Sequence, residues 1–304
     1  MRHILTVSGL LLVALLLYKP FATAQDDDGD SEHRPGLEIP LITPGPGWKT
    51  CPRCENGAHV ADDTKRYNVA GHAFDPHDIS GVWGASQRGS LDAEGVFVDQ
   101  SKVVFTPYGQ KLYDATKSDV SDKGLTISNS KDPEMICDPM GYPRNLAYNY
   151  GFEFVQTPDR VFQFFEWGHT WRTIWTDGRP LPTDPPVQRY MGYAVGKWEG
   201  DEFVIHSNGF DPRSWISQDR KLREYGYPHT ADMQLEERYK RVNYGTLQVT
   251  LTITDPKIYA KPWTTMGSAT LRPGTEIGEY FCVPSESIKF NQRQTAAAAG
   301  AKQF

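Results

Sequence analysis

Leu247, Val249, Leu251 and Ile253 alternate without a break with Gln248, Thr250 and Thr252. That period of two turns one face of a β-strand into a core and the other toward water. Residues 234–242 form a β-rich run just upstream, and Asn243-Tyr244-Gly245 supplies the turn of a hairpin between them. The same signature recurs at residues 152–156, 160–166 and 169–176, separated by Thr157-Pro158-Asp159 and Trp167-Gly168, which predicts a three-stranded meander. Residues 190–198 and 203–206 flank the polar loop Glu199-Gly200-Asp201-Glu202 and predict another hairpin. Helix is expected only at residues 107–116 and around 285–292.

A succession of hairpin-linked antiparallel strands must bury one face and dispose of two edges. The expected fold is therefore mainly β: an antiparallel up-and-down barrel, lipocalin-like, with one or two short helices; a β-sandwich is the alternative. A barrel of about eight strands has room inside for side chains or for one small ligand.

The start of the chain has a different pattern. Residues 4–18 are almost wholly apolar behind Arg2 and His3, and Ala22-Thr23-Ala24 forms an A-x-A site, so residues 1–24 read as a cleavable secretory signal. Lys19 and Pro20 end the apolar run short of a bilayer span. The expected destination is the periplasm or the exterior, with no membrane span. Residues 25–77 carry an acidic run from Asp26 to Glu32 and then a Pro/Gly-rich arm containing Cys51-Pro-Arg-Cys54; residues 78–304 make up the barrel domain. Removing the signal takes Arg2 and Lys19 and no acid, which carries the formal net charge from −6 to −8 and argues against nucleic acid as a partner.

Export also governs the four cysteines, because an oxidising compartment favours disulfides. Three pairings are possible. Cys137 with Cys282 is preferred, since each borders a predicted structured segment, while Cys51 and Cys54 share a short loop and read first as a local or intermolecular disulfide. With His72 and His77 the latter pair resembles a zinc site, but the 17 residues from Cys54 to His72 exceed the usual interval of about 12–15. Neither a metal nor a cofactor is assigned.

Several stretches together resemble a family of exported bacterial β-rich proteins: Asp78-Ile-Ser-Gly-Val-Trp83, Cys137-Asp-Pro-Met-Gly-Tyr-Pro-Arg144, Asp177-Gly-Arg-Pro-Leu-Pro182 and Gly192-Tyr-Ala-Val-Gly-Lys-Trp-Glu-Gly-Asp201. With Gln156-Thr-Pro-Asp159, Pro228-His229, Glu237-Arg238 and Asp255-Pro256 they span residues 78–283. The resemblance implies a β-rich secreted domain with Cys137 and Cys282 at recurrent cysteine positions. It implies no activity, and the long arm with Cys51 and Cys54 departs from the pattern.

Chemistry therefore has to come from the residues. A two-residue turn at Trp167-Gly168 would set Glu166 opposite His169, a carboxylate beside an imidazole, as a general base requires; an exposed ion pair would look the same. His229, held behind Pro228, is a second proton-transfer candidate. Arg144, Trp171, Arg172 and Tyr193 are the ligand-binding candidates, the arginines for anionic groups and the rings for flat or amphipathic molecules. The chain carries 14 Phe, 15 Tyr and 8 Trp, most of which must be core. No nucleophile elbow, zincin helix or nucleotide-binding glycine loop is present. The leading expectation is an exported barrel that binds a small amphipathic or aromatic ligand. An acid/base enzyme acting on a small organic or carbohydrate substrate is one alternative. The other is an assembly protein that forms homo-oligomers through residues 25–77.

Overall fold

Nine strands that alternate in direction cannot close into a ring with every neighbour antiparallel; one pair must run parallel. In the computed structural model, residues 71–85, 102–118, 131–148, 150–218 and 225–285 are described, all within the unit that begins at Cys51. The strands are β1 (Gly81–Ala85), β2 (Phe152–Gln156), β3 (Arg160–Phe165), β4 (Thr170–Trp175), β5 (Tyr193–Glu199), β6 (Glu202–Asn208), β7 (Ser217–Gln218), β8 (Gly226–Tyr227), β9 (Gln234–Asn243), β10 (Thr246–Thr254) and β11 (Trp263–Leu271). All but β7 and β8 form a closed barrel in the order β1-β11-β10-β9-β6-β5-β4-β3-β2. Closure removes the edges, so the chain is a barrel and not a sandwich.

The expected meander order is present, with one departure. β4 and β5 pair in parallel through only two partner sets, Ile174 with Ala194 and Trp175 with Val195, while the other barrel neighbours are antiparallel. The parallel pair needs a crossover, and residues 176–192 provide it. The short hairpin β7–β8 is inserted between β6 and β9. Helix α1 (Pro107–Ala115) is capped by Thr106, whose hydroxyl accepts from the Gly109 N–H at 2.9 Å, and has proline in its first turn. A Cβ at Gly109 would sit 2.0 Å from the Ile258 carbonyl oxygen, so the helix docks there only because the residue is glycine. A 3-10 turn (Pro133–Ile136) and a four-residue helix α2 (Arg144–Ala147) lie between β1 and β2.

Leu247, Val249, Leu251 and Ile253 point inward and are fully buried, as their alternation requires. The inward face of the β3–β4 hairpin is mixed, with Val161, Phe165 and Ile174 buried beside two polar side chains. The polar Gln163 and Arg172 face the lumen and are buried, while Phe162, Phe164, Trp171 and Trp175 face outward. A buried guanidinium needs a counter-charge, and Glu237 on β9 provides it: Arg172 Nη1 and Nη2 donate to Glu237 Oε1 and Oε2, each at 2.7 Å. Arg172 Nε donates to Gln163 Oε1 at 2.8 Å. Tyr142, reaching in from the β1–β2 connection, donates to Glu237 Oε2 at 2.5 Å, and Tyr239 donates to the same oxygen at 3.0 Å. Burial pushes both tyrosine hydroxyls above the usual phenol range, so both stay protonated donors. The Arg172 guanidinium also lies 3.7 Å from the centre of the Tyr142 ring.

These contacts cross the barrel. Strands β4 and β9 are separated by β5 and β6, and the Phe154 ring of β2 meets the Tyr239 ring of β9 edge-on at 5.2 Å. Opposite walls touch directly, so at this level described side chains fill the lumen.

A disulfide joins Cys137, just after the 3-10 turn, to Cys282 beyond β11, with Cα atoms 5.4 Å apart across 145 residues of sequence. The preferred pairing is the one formed. Cys51 and Cys54, the acidic run, residues 1–24 and most of the arm proposed for oligomers lie outside the described residues, as does the expected helix beyond Ser285. Among the described residues no helix is long and apolar enough to cross a membrane.

Two stability measurements follow from this arrangement. Glu237→Gln leaves the Arg172 charge buried without a counter-ion and is expected to lower the unfolding free energy by about 3–5 kcal/mol in urea titrations. An Arg172→Met/Glu237→Met double variant should recover most of that loss. A single variant within about 1 kcal/mol of the parent, the range of an exposed pair, would contradict the account. Replacing Cys137 and Cys282 by serine removes a constraint on a long loop and should cost about 2–5 kcal/mol.

Candidate functional site

The crossover between β4 and β5 has to leave β4, turn, and return alongside it. Asp177 begins the turn: its carboxylate accepts from the Arg179 backbone N–H at 3.2 Å, and Gly178 takes a φ of 82°. Pro180 and Pro182 then hold the segment extended. The Asn208 amide donates to the Pro182 carbonyl at 2.7 Å. Further along, Arg189 N–H donates to the Gly209 carbonyl at 2.9 Å, and the Arg189 carbonyl accepts from Asp211 N–H at 3.0 Å. Gly192, at φ 64°, turns the chain into β5; a Cβ there would lie 2.7 Å from the Phe210 ring. The crossover is thus fastened at several points to residues 208–211.

The parallel ladder covers only Ile174–Trp175 and Ala194–Val195. Where the ladder stops, Trp171, Thr173 and the returning Met191–Tyr193 part, and a cleft of about 680 Å³ opens on the outer side of the barrel. Trp171, Trp175, Leu181, Met191 and Tyr193 form its walls, with Arg179 and Arg189 at the rim. The volume lies within the range of about 300–1,000 Å³ typical of small-molecule sites.

The rings in this cleft are not equivalent. Trp175 has the Arg179 guanidinium carbon 3.5 Å and the Arg160 carbon 4.1 Å from its ring centre, too close for both to share one face. Both faces of Trp175 are therefore covered. Arg179 is held by Asp177 at 2.6 Å and Arg160 by Asp159 at 2.6 Å. The hydrogen bond from Arg179 holds the Asp177 carboxyl below its usual range. Tyr193 carries the Arg189 guanidinium 4.0 Å from its ring centre and donates its hydroxyl to the Val187 carbonyl at 3.1 Å. Trp171 is different: it is 59% exposed and stacks on no ring or cation among the described residues.

Three of the four ligand-binding candidates, Trp171, Arg172 and Tyr193, line this cleft. Arg172 contributes only its flank, because its guanidinium is turned inward to Glu237. Arg144 is elsewhere: it is buried, donates from both terminal nitrogens to Asp132 at 2.7 and 2.6 Å, and faces no ligand. Trp175 is one of several tryptophans that the sequence offers for a ligand site without distinguishing among them, and Arg179 and Arg189 are not among the sequence candidates. Arg179 lies in Asp177-Gly-Arg-Pro-Leu-Pro182, one of the stretches that carry the family resemblance, but nothing in the sequence distinguishes Arg189.

The proton-transfer candidates are held apart. The β3–β4 ladder ends at Phe165 with Thr170, so Glu166 and His169 sit within a four-residue loop and not as a cross-strand pair. Glu166 accepts from the Gly151 and Gly278 N–H groups at 2.5 and 3.2 Å, and His169 Nε2 donates to the Gly278 carbonyl at 3.1 Å. Both clamp the segment that carries Cys282. His229 is buried, with Nδ1 donating to the Thr230 carbonyl and Nε2 against the Ser214 hydroxyl, each at 3.0 Å. No hydrogen bond or ion pair links Glu166, His169, His229 and Arg144 to one another among the described residues. His77 bonds the Gly200 carbonyl at 2.9 Å and packs on Trp198, and no cluster of metal-ligating side chains occurs among the described residues.

Comparison of the chain with family models, curated proteins and solved structures finds no match.

The buried imidazole has a measurable consequence. Burial lowers the His229 pKa from its ordinary 6.5, so below about pH 6.5 the unfolded chain binds a proton that the folded chain does not. The stability contribution is complete above that pH and is lost as pH falls. Denaturant midpoints between about pH 8 and pH 5 should decline on the acid side, and His229→Gln should flatten the decline; an unchanged slope in the variant would refute the assignment.

Proposed function

We propose that this chain binds a small aromatic or amphipathic molecule in the cleft at the β4–β5 seam, outside the barrel. The observation that supports this reading best is Trp171, a large ring on the wall of a preformed cleft that is left 59% exposed and has no stacking partner among the described residues. An exposed tryptophan face forgoes the burial and ring packing that a flat ligand would restore. Leu181 and Met191 add apolar contact area, and the polar rim would fix the ligand's orientation. The crossover is pinned by backbone hydrogen bonds and by the Asn208 amide before any ligand arrives, which lowers the ordering cost of binding. Glu166, His169 and His229 lie outside the cleft lining, so the reading is one of binding without turnover. The signal-like start and the Cys137–Cys282 disulfide support an exported setting, periplasmic or secreted.

Calorimetric titration of the chain with two-ring naphthyl amphiphiles tests the reading. Trp171→Ala is expected to weaken binding about tenfold or more while leaving the unfolding midpoint in place, and Trp171→Phe should keep most of the affinity. Equal affinity in parent and Trp171→Ala would place binding elsewhere. No heat with any such probe would remove the reading.

A further inference from the structure

We propose that the ligand of this cleft is a singly charged aromatic anion, an arylcarboxylate, and that Arg189 is the residue that binds its carboxylate. The inference rests on the cleft being the binding site.

Charge is distributed unevenly around the cleft. Its lining includes Arg172, Arg179 and Arg189 and no aspartate or glutamate, in a chain whose formal net charge is −6. A concave surface with cations and no acid attracts anions. Two of the three cations are already matched: Arg172 is paired with Glu237 at 2.7 Å and Arg179 with Asp177 at 2.6 Å.

Arg189 is the exception among the three. Arg144, Arg160, Arg213, Arg238 and Arg241 each have a carboxylate within 4.0 Å as well. Arg189 has none among the described residues, and its described side-chain contact is the Tyr193 ring at 4.0 Å. A guanidinium lying over a ring keeps its N–H donors directed outward in its own plane, where they match the two oxygens of a carboxylate. The backbone on either side of that donor set is fixed by the bonds to Gly209 and Asp211. The donors are thus presented at the rim of a cleft whose depth is apolar, an arrangement that suits a molecule with a flat ring at one end and one negative charge at the other. A single uncompensated cation matches one charge; a phosphate dianion would retain an unpaired charge on desolvation.

The test compares 2-naphthoate with 2-naphthamide, of nearly equal shape and different charge, by calorimetry on the full exported chain. The naphthoate is expected to bind about tenfold or more tightly, and Arg189→Gln should bring the ratio close to one. Arg189→Lys should retain part of the preference. In the parent chain, added salt should weaken naphthoate and leave naphthamide unchanged, a readout that does not depend on any variant folding. Equal affinities in the parent, or an unchanged ratio in a folded Arg189→Gln variant, would overturn the inference while leaving the cleft as the site. Absence of binding by both probes would overturn the inference together with the reading on which it rests.

Discussion

The contact between Arg172 and Glu237 organises the barrel. Both groups are almost wholly buried, at 1% and 0% side-chain exposure, and they meet from walls that two intervening strands separate. A carboxylate that accepts from both arginine nitrogens and from the Tyr142 and Tyr239 hydroxyls is fully coordinated. Removing one partner would strand the others without water. The same network brings the β1–β2 connection into the barrel through Tyr142, so the loop that carries the Cys137–Cys282 disulfide and the buried Arg144–Asp132 pair is tied to the centre of the molecule.

That choice of interior dictates the exterior. Because Gln163 and Arg172 take the inward positions of the β3–β4 hairpin, the period of two sends Phe162, Phe164, Trp171 and Trp175 outward. The outward rings meet the parallel seam between β4 and β5, which is paired through only two partner sets. An odd strand number requires one such seam, and a parallel pair requires a crossover; here the crossover shapes a cleft over the displaced rings. The buried Arg172–Glu237 contact and the aromatic cleft belong to opposite faces of one register.

Most of the strand pattern was legible. The alternation in β10, the turn after Asn243 and the meander from Phe152 to Trp175 follow from side-chain period and turn chemistry, and their observed bounds lie close to those expected. β1 and β11 were harder to see, because Gly81 and Gly84 interrupt one, and small or hydroxylated residues such as Thr265, Gly267 and Ser268 blur the other. The barrel resolves both as closing strands whose partners are distant in sequence. The direction in which the β3–β4 hairpin faces was not legible. Both faces carry large apolar side chains, Val161, Phe165 and Ile174 on one and Phe162, Phe164, Trp171 and Trp175 on the other, and the counter-charge of the inward Arg172, Glu237, is 65 residues away. For the same reason Trp171 and Tyr193 could be named as candidates while the cleft they share could not. The Glu166–His169 dyad had the right spacing, but the C-terminal segment supplies backbone groups that both side chains bind instead.

The central proposal, that ligand binds at the outer seam and not inside the barrel, is tested most directly by locating a bound molecule. Crystals grown with 6-bromo-2-naphthoate should give an anomalous bromine peak in the cleft beside Trp171 and Tyr193, with the Arg172–Glu237 contact intact. A bromine peak inside the barrel, with that contact broken, would contradict the account.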